Sequence, residues 1–359
     1  MKNEVNIAFL GDFMPGGVTT GNTEFYSQEL KSILSECDIR VATLECAIGE
    51  GLEFDKEKMD REDWRNIIYS PDRDLTKLKE INIDVVSLAN NHTFDLGELG
   101  LINTIEQLDK LGIKHFGAGR NYNETISPAI IERCGKTFCF LGYMPWWWEA
   151  PHPSNEYSDC PGINQFDIDN VVSDIIKFKH LYDYVFVLPH WGLEYTYFPT
   201  DRERCFVKKM IEAGVDGIIG SHTHQVQPTL MIKSVPVCYS LGNFFFPDFY
   251  IQPPRPIWYP SNDDDIKNIP CCYEYPEKTD CYVKRVWPLK SRLGNVLIIN
   301  ITNKIKMSLK TVSLSENNIL EICNMPLIAK IKLKIIGLAL RTSLYKYFLS
   351  IIIRLKRVI

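Results

Sequence analysis

The first two-thirds of the chain repeats one pattern, in which short apolar runs typical of buried strands alternate with segments of helical periodicity. The main predicted strands span 5–10, 38–44, 85–88, 184–188 and 217–219. The predicted helices between them span 25–37, 70–79, 99–111, 169–179 and 201–213. This alternation predicts an α/β fold.

Polar side chains follow these strands at the point where each strand ends. They are Asp12, Glu45, Asn91 with His92, His190, and His222 with His224. The carboxyl ends of strands are where open α/β sheets bind ligands. A single histidine usually has a structural role, but four of the chain's 7 histidines lie at strand ends together with two carboxylates. Their shared placement therefore indicates a metal site.

The donor set constrains the ion. Carboxylate and carboxamide oxygens favour Mn²⁺ or Mg²⁺, whereas imidazole favours Zn²⁺ or iron. We therefore expect one or two divalent ions drawn from these four metals. Asp12 could instead be a turn residue and Asn91 an Asx-type helix cap, a role that Asn90 and Asp95 could also fill. Gly242 and Asn243 are interpreted as a tight structural turn outside the metal set.

Net charge and cysteine usage argue against a nucleic-acid-binding protein, a disulfide-linked protein and a cysteine-based zinc site. A net charge of −5 over 359 residues gives no reason to expect a nucleic-acid partner. The 11 cysteines are odd in number, and Cys139 and Cys238 lie in apolar runs, which favours reduced thiols over disulfides. Cys271, Cys272 and Cys281 lack the paired spacing of a zinc site. The N-terminus has no apolar signal region, so we expect a cytoplasmic protein.

An ordered series of motifs makes the chain resemble a known family. The series is Gly11-Asp-Phe-Met, Thr43-Leu-Glu, Ala89-Asn-Asn-His, His190-Trp-Gly, Gly220-Ser-His-Thr-His and Tyr239-Ser-Leu-Gly-Asn-Phe. Each motif is weak alone, but this order resembles the CapA capsule-synthesis family within the calcineurin-like metallophosphoesterase superfamily. The resemblance covers residues 9–245 and implies a sandwich of two mixed β-sheets flanked by helices.

The resemblance also implies roles for the strand-end residues. One metal would be held by Asp12, Glu45 and His224, and a second by Glu45, Asn91, His190 and His222, so that Glu45 bridges the two ions. His92 matches the residue that protonates the leaving oxygen or stabilises the transition state. Two departures from the superfamily pattern stand out. Met14 replaces the histidine usual two residues after the first aspartate, and Glu45 replaces the usual bridging aspartate.

Three functions follow as hypotheses. The first is a metal-dependent hydrolase acting in the biosynthesis of a capsule or cell-surface polymer, such as poly-γ-glutamate or a polysaccharide. The second, favoured by Met14, is a metal-stabilised scaffold of an envelope-assembly complex with little turnover. The third is a 5′-nucleotidase-like phosphatase, which would be expected to carry histidine at position 14. His92 favours catalysis, because a purely structural site does not need it.

A small-molecule or polymer substrate requires further contacts. Exposed aromatic side chains stack on sugars and peptide-like polymers, which makes Trp147 in the run 145–149 a candidate. The same run could instead cover an edge of the core. Trp191, Glu194 and Tyr195 follow the His190 motif and are predicted to line the pocket.

The remaining sequence falls into three parts. An irregular segment, about 247–290, is predicted to be a loop or cap on the substrate side, and 296–301 and 305–312 a closing pair of strands that end the main domain, 1–312. Beyond it, 327–359 is a basic amphipathic tail, with no acidic residue after Glu321. Its uncharged runs are shorter than the roughly 18 residues that span a bilayer, so we expect it to lie on the inner face of the membrane. Alternatively, it packs on the domain or on a partner protein.

Overall fold

The computed structural model describes residues 4–49, 66–145, 151, 159–262, 265–274, 276, 278–342, 345–347 and 349. The strands of the first half are β1 (Val5–Phe13), β2 (Ile39–Leu44), β3 (Ala47–Ile48), β4 (Tyr69–Ser70), β5 (Val85–Ser87), β6 (Lys114–Phe116), β7 (Ala118–Gly119), β8 (Ala129–Arg133), β9 (Lys136–Tyr143), β10 (Gly162–Ile163) and β11 (Tyr184–Pro189). Those of the second half are β12 (Gly217–Ile219), β13 (Thr229–Ile232), β14 (Val235–Cys238), β15 (Asn243–Phe245), β16 (Phe249–Ile251), β17 (Ile257–Trp258), β18 (Cys271–Cys272), β19 (Val283–Arg285), β20 (Leu293–Ile301), β21 (Ile305–Leu314) and β22 (Leu320–Cys323).

The α-helices lie between these strands, except the last one, which follows β22, and some of their ends carry recognisable start and stop signals. They are α1 (Gln28–Ser35), α2 (Thr76–Glu80), α3 (Gly97–Leu111), α4 (Tyr122–Ile126), α5 (Ile168–Lys179), α6 (Asp201–Glu212) and α7 (Leu327–Leu340). Thr200 and Glu203 form a reciprocal capping box at the start of α6. Gly112 ends α3 in the left-handed conformation, with φ of 66°.

Two mixed sheets form the body of the fold. The first has the order β22-β21-β20-β1-β2-β5-β6, with β15 also paired to β1. Its β1, β2, β5 and β6 are parallel, and β20 to β22 are antiparallel. The second has the order β13-β14-β12-β11-β9-β8, with parallel strands at its centre and antiparallel strands at both edges.

Alternation of side chains along the strands divides the apolar interior into layers. Ile7 and Phe9 of β1 pack with Phe140 and Phe186 of the second sheet, so this layer fills the space between the sheets. Ala8 and Leu10 point to the opposite side of β1, where they pack with α1 and α3. A third cluster joins the outer face of the second sheet to α5, α6 and α7. The predicted two-sheet sandwich flanked by helices is confirmed.

The later part of the chain is more regular than predicted. The segment 247–290 contains a four-stranded sheet of order β17-β16-β19-β18 rather than an irregular loop. The first sheet continues past residue 312 through β22, which pairs with β21. The tail begins with α7, one face of which is buried against the second sheet. No helix in the described part of the chain is long and apolar enough to cross a membrane.

Candidate metal centre

The two sheets deliver the candidate ligands to one place. Asp12 lies at the end of β1, in register with Thr43 of β2 and Asn243 of β15. Glu45 follows β2, and its backbone N–H donates to the carbonyl oxygen of Phe13 at 2.9 Å. His190 follows β11 and forms a bridge with Ser221 after β12. Parallel strands therefore bring the residues together because their carboxyl ends share an edge.

Asp12 and Glu45 are both completely buried. Neither oxygen of the Glu45 carboxylate has a hydrogen-bond donor among the described residues. Burial raises the pKa of Asp12 well above its ordinary value, and the neighbouring Glu45 charge raises it further. Burial likewise raises the pKa of Glu45. Two buried acidic groups of this kind need a compensating cation when ionised.

The imidazole of His190 is at the centre of the first ligand group. Its Nε2 atom lies 2.8 Å from Asn91 Oδ1, 3.1 Å from His222 Nδ1 and 3.3 Å from Glu45 Oε1. Its Nδ1 atom lies 2.9 Å from Ser221 Oγ, which fixes the ring. Burial, followed by the charges of His224 and His92, lowers the pKa of His190 well below its usual value. A neutral imidazole is the form that binds a metal.

His224 belongs to the second ligand group. Its Nε2 atom lies 3.7 Å from Glu45 Oε1, and its Nδ1 atom lies 2.9 Å from Asn243 Oδ1. Asn243 Nδ2 donates to the carbonyl oxygen of Ser291 at 3.0 Å, which holds the amide in place. Such an outer partner orients a ligating histidine. Asn243 was predicted to be a turn residue outside the metal set, but in the structure its amide contacts the His224 ring.

The ligand atoms form two overlapping groups. Glu45, His190 and His222 make one, and Asp12, Glu45 and His224 make the other, with the atoms of each group within 4.8 Å of one another. Glu45 is common to both, which is the position of a ligand shared by two ions. The division matches the one implied by the family resemblance.

The loop between β12 and β13 holds two of these ligands in a strained backbone conformation. His222 and His224 have φ values of 90° and 49°. The Asp12 carboxylate accepts from the backbone N–H of His222 at 3.2 Å, and Thr223 Oγ1 donates to the carbonyl oxygen of Gln225 at 2.7 Å. Backbone strain of this kind costs about 1–3 kcal/mol per residue and persists where surrounding contacts enforce it.

His92 lies beside the ligand Asn91 in the loop after β5. Its Nδ1 atom is 2.7 Å from Asp95 Oδ2, and its backbone N–H donates to Asn90 Oδ1 at 3.0 Å. Burial lowers the pKa of His92, but the charge and hydrogen bond of Asp95, together with the charges of Glu45 and Glu194, outweigh burial, and the net pKa is raised. Asn90 Nδ2 donates to the carbonyl oxygen of Leu44, which ties this loop to the strand before Glu45.

The predicted substrate residues have different locations. Trp191 is buried, and its indole N–H donates to the Tyr239 carbonyl oxygen at 3.0 Å, so it packs in the core rather than lining a pocket. Glu194 Oε1 lies 4.0 Å from His222 Nε2, and the Tyr195 ring lies 5.9 Å from that of His224. Trp147 lies outside the described residues.

Three contacts near the centre are not evident from the sequence. Met14 is buried, and its sulfur accepts a hydrogen bond from Ser70 Oγ at 3.4 Å. Trp287, from the end of the 247–290 segment, packs against His224 with ring centroids 5.0 Å apart. Arg285 lies over the Trp287 ring at 4.7 Å. The buried Arg285 of β19 and the buried Trp287 just after it therefore pack behind the second ligand group.

Comparisons with known proteins identify relatives of this chain. A match to the CapA PGA biosynthesis protein of Bacillus subtilis (strain 168) is 31% identical over 170 residues, covering 47% of this chain and 44% of that protein. A match to the CapA capsule biosynthesis protein of Bacillus anthracis is 28% identical over 255 residues, covering 68% of this chain and 60% of that protein. The chain thus spans less than two-thirds of either relative.

Solved structures that match this chain share little sequence with it. A hypothetical protein from Thermus thermophilus has 12% identity and a TM-score of 0.46, with 86% of this chain and 98% of that chain covered. The sulfate thiohydrolase SoxB of the same organism has 10% identity and a TM-score of 0.42, with coverage of 80% and 57%.

The family assignment comes from the sequence model of a whole family. The model described as bacterial capsule synthesis protein PGA_cap matches residues 6–248, a range that contains every candidate ligand named above. This match confirms the predicted resemblance to the CapA proteins. The chain belongs to the bacterial capsule synthesis protein PGA_cap family.

Proposed function

We propose that this chain is a metal-dependent hydrolase acting in the biosynthesis of a capsule or another cell-surface polymer. The observation that carries the proposal is the sharing of the buried Glu45 carboxylate by two ligand groups. The relatives named for PGA and capsule biosynthesis support the polymer context. The polymer could be poly-γ-glutamate or a polysaccharide.

The residues fit a pair of divalent ions. Two carboxylates, three imidazoles and the Asn91 carboxamide match the oxygen and nitrogen donors of Mn²⁺, Zn²⁺, iron or Mg²⁺. The buried oxygens of Glu45 have no hydrogen-bond donor among the described residues, and a bound cation would compensate their charge. Bound divalent ions supply the positive charge that stabilises anionic oxygens during hydrolysis, and they acidify water.

His92 is the proposed proton donor. Asp95 accepts the hydrogen bond from Nδ1, which leaves Nε2 as the nitrogen that can protonate a leaving oxygen or nitrogen. Its raised pKa favours the protonated ring that a general acid requires. The same role serves a phosphoester or an amide-like bond, because each needs a proton on its leaving group.

The substrate side is proposed to be formed by Glu194 and Tyr195. Glu194 lies within 4.0 Å of the His222 ring, so it faces the first ligand group. Arg285 and Trp287 are themselves buried, so they pack behind the second ligand group and are not proposed to contact the substrate.

One observation favours the second candidate, a metal-stabilised scaffold with little turnover. Position 14 holds a buried methionine bonded to Ser70 instead of the histidine usual in the superfamily. A thioether is a poor ligand for hard divalent ions. The ion held by Asp12, Glu45 and His224 would then have fewer ligands. The site would bind this ion with lower affinity, but it would still bind it.

The deciding experiment combines metal analysis of the purified full chain with a substrate panel. The panel contains phosphomonoesters, phosphodiesters and γ-glutamyl peptides, each assayed with Mn²⁺, Zn²⁺, Fe²⁺ and Mg²⁺. Bound metal together with hydrolysis lost in His92→Ala supports the hydrolase. Bound metal without hydrolysis of any class supports the scaffold. A protein that contains no divalent ion and binds none contradicts both.

A further inference from the structure

The helix α7 has one face docked on the domain. Ile336 and Leu340 are buried in the third apolar cluster, and Gly337 lies so close to Leu230 that a Cβ there would sit 3.0 Å from its Cδ2 atom. After the helix, Tyr345 is fully buried and its hydroxyl donates to the Pro199 carbonyl oxygen at 2.6 Å. The helix is therefore held rigidly on the domain.

The opposite face of α7 is apolar and exposed. Ile328, Ile331, Ile335 and Leu338 are 70%, 49%, 51% and 60% exposed. Their spacing of three, four and three residues places them in one stripe along the helix, which Leu327 extends at the N-terminal end. We call these five residues the α7 stripe. A contiguous exposed stripe of this kind marks an interaction surface.

Cations border the α7 stripe on both sides. At 100° per residue, Lys330, Lys334 and Arg341 lie along one edge and Lys332 along the other. Within the ranges that the structure describes, no carboxylate forms an ion pair with these four side chains. The sequence has no acidic residue after Glu321. The surface is therefore amphipathic and uniformly positive.

A groove of about 730 Å³ adjoins the lysine-rich edge, between α7 and strands β13, β20, β21 and β22. Lys310, Lys330, Lys334 and Arg341 line it, and its described lining contains no carboxylate. Leu230, Leu309 and Leu333 supply apolar walls. A groove with cations above apolar walls is suited to a molecule that has an anionic head and a hydrocarbon body.

We propose that the α7 stripe and this groove bind the surface of an anionic lipid bilayer, with the helix lying in the plane of the headgroups. The stripe enters the acyl boundary, and the flanking cations contact lipid phosphates. A partner protein would have to neutralise four cations around an apolar strip, whereas an anionic bilayer meets both requirements at once. The proposal does not depend on hydrolysis at the metal centre.

Contacts connect this surface to the loop beside the centre. Lys332 Nζ lies 5.5 Å from the centroid of the Tyr197 ring, and Tyr345 bonds to Pro199. The same loop carries Glu194 and Tyr195, which approach the rings of His222 and His224. Docking of α7 on a bilayer would therefore hold the substrate side of the centre near the membrane surface.

The test is flotation of the full-length protein with vesicles of phosphatidylcholine alone or mixed with phosphatidylglycerol. We expect binding to the anionic vesicles that falls as salt is raised. Lys330→Gln/Lys334→Gln should lower the partition coefficient about thirtyfold, since each cation near an anionic leaflet contributes about 1 kcal/mol. Ile331→Gln/Leu338→Gln should lower it about a hundredfold.

Matched controls change exposed residues elsewhere. Leu99→Gln/Leu181→Gln and Lys31→Gln/Lys110→Gln should bind as the unchanged protein does, because these side chains are exposed but lie outside the α7 surface. Circular dichroism and thermal melting should show that all four variants are folded. Absence of binding to anionic vesicles, or equal loss in variants and controls, overturns the proposal. So does an α7-stripe variant that turns a dimer into a monomer while vesicle binding stays unchanged.

Discussion

At the metal centre, Asp12 and Glu45 are fully buried, whereas on α7 the cations Lys330 and Lys334 are exposed. The centre gathers its charges from strand ends far apart in sequence, and α7 presents its charges from adjacent turns of one helix. Burial makes the first set dependent on a compensating ion. Exposure lets the second set meet a charged surface at little desolvation cost. The following predictions test this contrast from the largest expected effect to the smallest.

Glu45→Gln should abolish binding of both ions, because this carboxylate belongs to both ligand groups. The change keeps the shape of the side chain and removes its charge. Metal content of the purified protein measures the effect. Glu203→Gln is the matched control, since Glu203 is buried at the start of α6 and lies outside the centre. Retention of one ion in Glu45→Gln would show that Glu45 does not bridge the two groups.

His92→Ala should keep the metal content and reduce hydrolysis by about 10²–10⁴-fold, the usual contribution of general acid catalysis. The reason is that His92 is paired with Asp95 and belongs to neither ligand group. The reduction is measured as the rate of hydrolysis of the best substrate among the phosphomonoesters, phosphodiesters and γ-glutamyl peptides. His180→Ala, at the exposed end of α5, should leave the rate unchanged. An unaltered rate in His92→Ala would remove this residue from the mechanism.

Substitutions of two adjacent residues of α7 should have very different effects on the free energy of unfolding. Ile336→Ala empties a buried position in the third cluster and should lower the free energy of unfolding by about 2–5 kcal/mol. Ile335→Ala replaces an exposed residue of the α7 stripe and should change the free energy of unfolding by less than about 0.5 kcal/mol. Urea denaturation measures both. Equal effects would mean that α7 does not dock on the domain as described.

Asn243→Ala should weaken metal binding about 10–100-fold, the usual cost of losing the outer partner of a ligating histidine. Asn243 Oδ1 fixes the His224 ring from 2.9 Å and is itself held by Ser291. Titration with Mn²⁺ or Zn²⁺ measures the affinity. Asn164→Ala is the control. It removes a buried carboxamide that donates a hydrogen bond to the Gly142 carbonyl oxygen, and it should not change the metal affinity. An unchanged metal affinity in Asn243→Ala would mean that the His224 ring does not depend on Asn243 for its orientation.

The candidate site could be predicted from the sequence wherever a residue's place at a strand end decides which side chains lie next to it. Strand-end placement predicted that Asp12, Glu45, His190, His222 and His224 lie together, and the structure brings these candidate ligands into two groups, because parallel strands end at one edge. It could not reveal the role of Asn243, because a turn and an orienting amide look alike in a motif. It also misplaced Trp191, since a residue beside a ligand can point into the core. The face of α7 that docks depends on contacts with Leu230 and Pro199, which periodicity does not encode.

The smallest expected effect concerns pH in protein stripped of metal by a chelator. The pKa of Asp12 is raised above its ordinary value of 3.8, chiefly by burial and then by Glu45. The folded state therefore binds the proton more tightly than the unfolded chain. Its contribution to stability is complete below the ordinary value and is lost as pH rises through the raised pKa. Asp12→Asn cannot lose this contribution, so its stability relative to the unchanged protein should increase with pH.

Urea denaturation of the stripped proteins at several pH values measures this difference. Asp169→Asn is the control, because Asp169 is an exposed carboxylate of α5 outside the centre. Adding a divalent ion to the unchanged protein should restore the stability lost at higher pH, since the ion replaces the proton as the partner of the two carboxylates. A relative stability of Asp12→Asn that stays constant with pH would show that the buried acidic pair is compensated without a metal. In that case the contrast between the centre and the α7 surface would not hold.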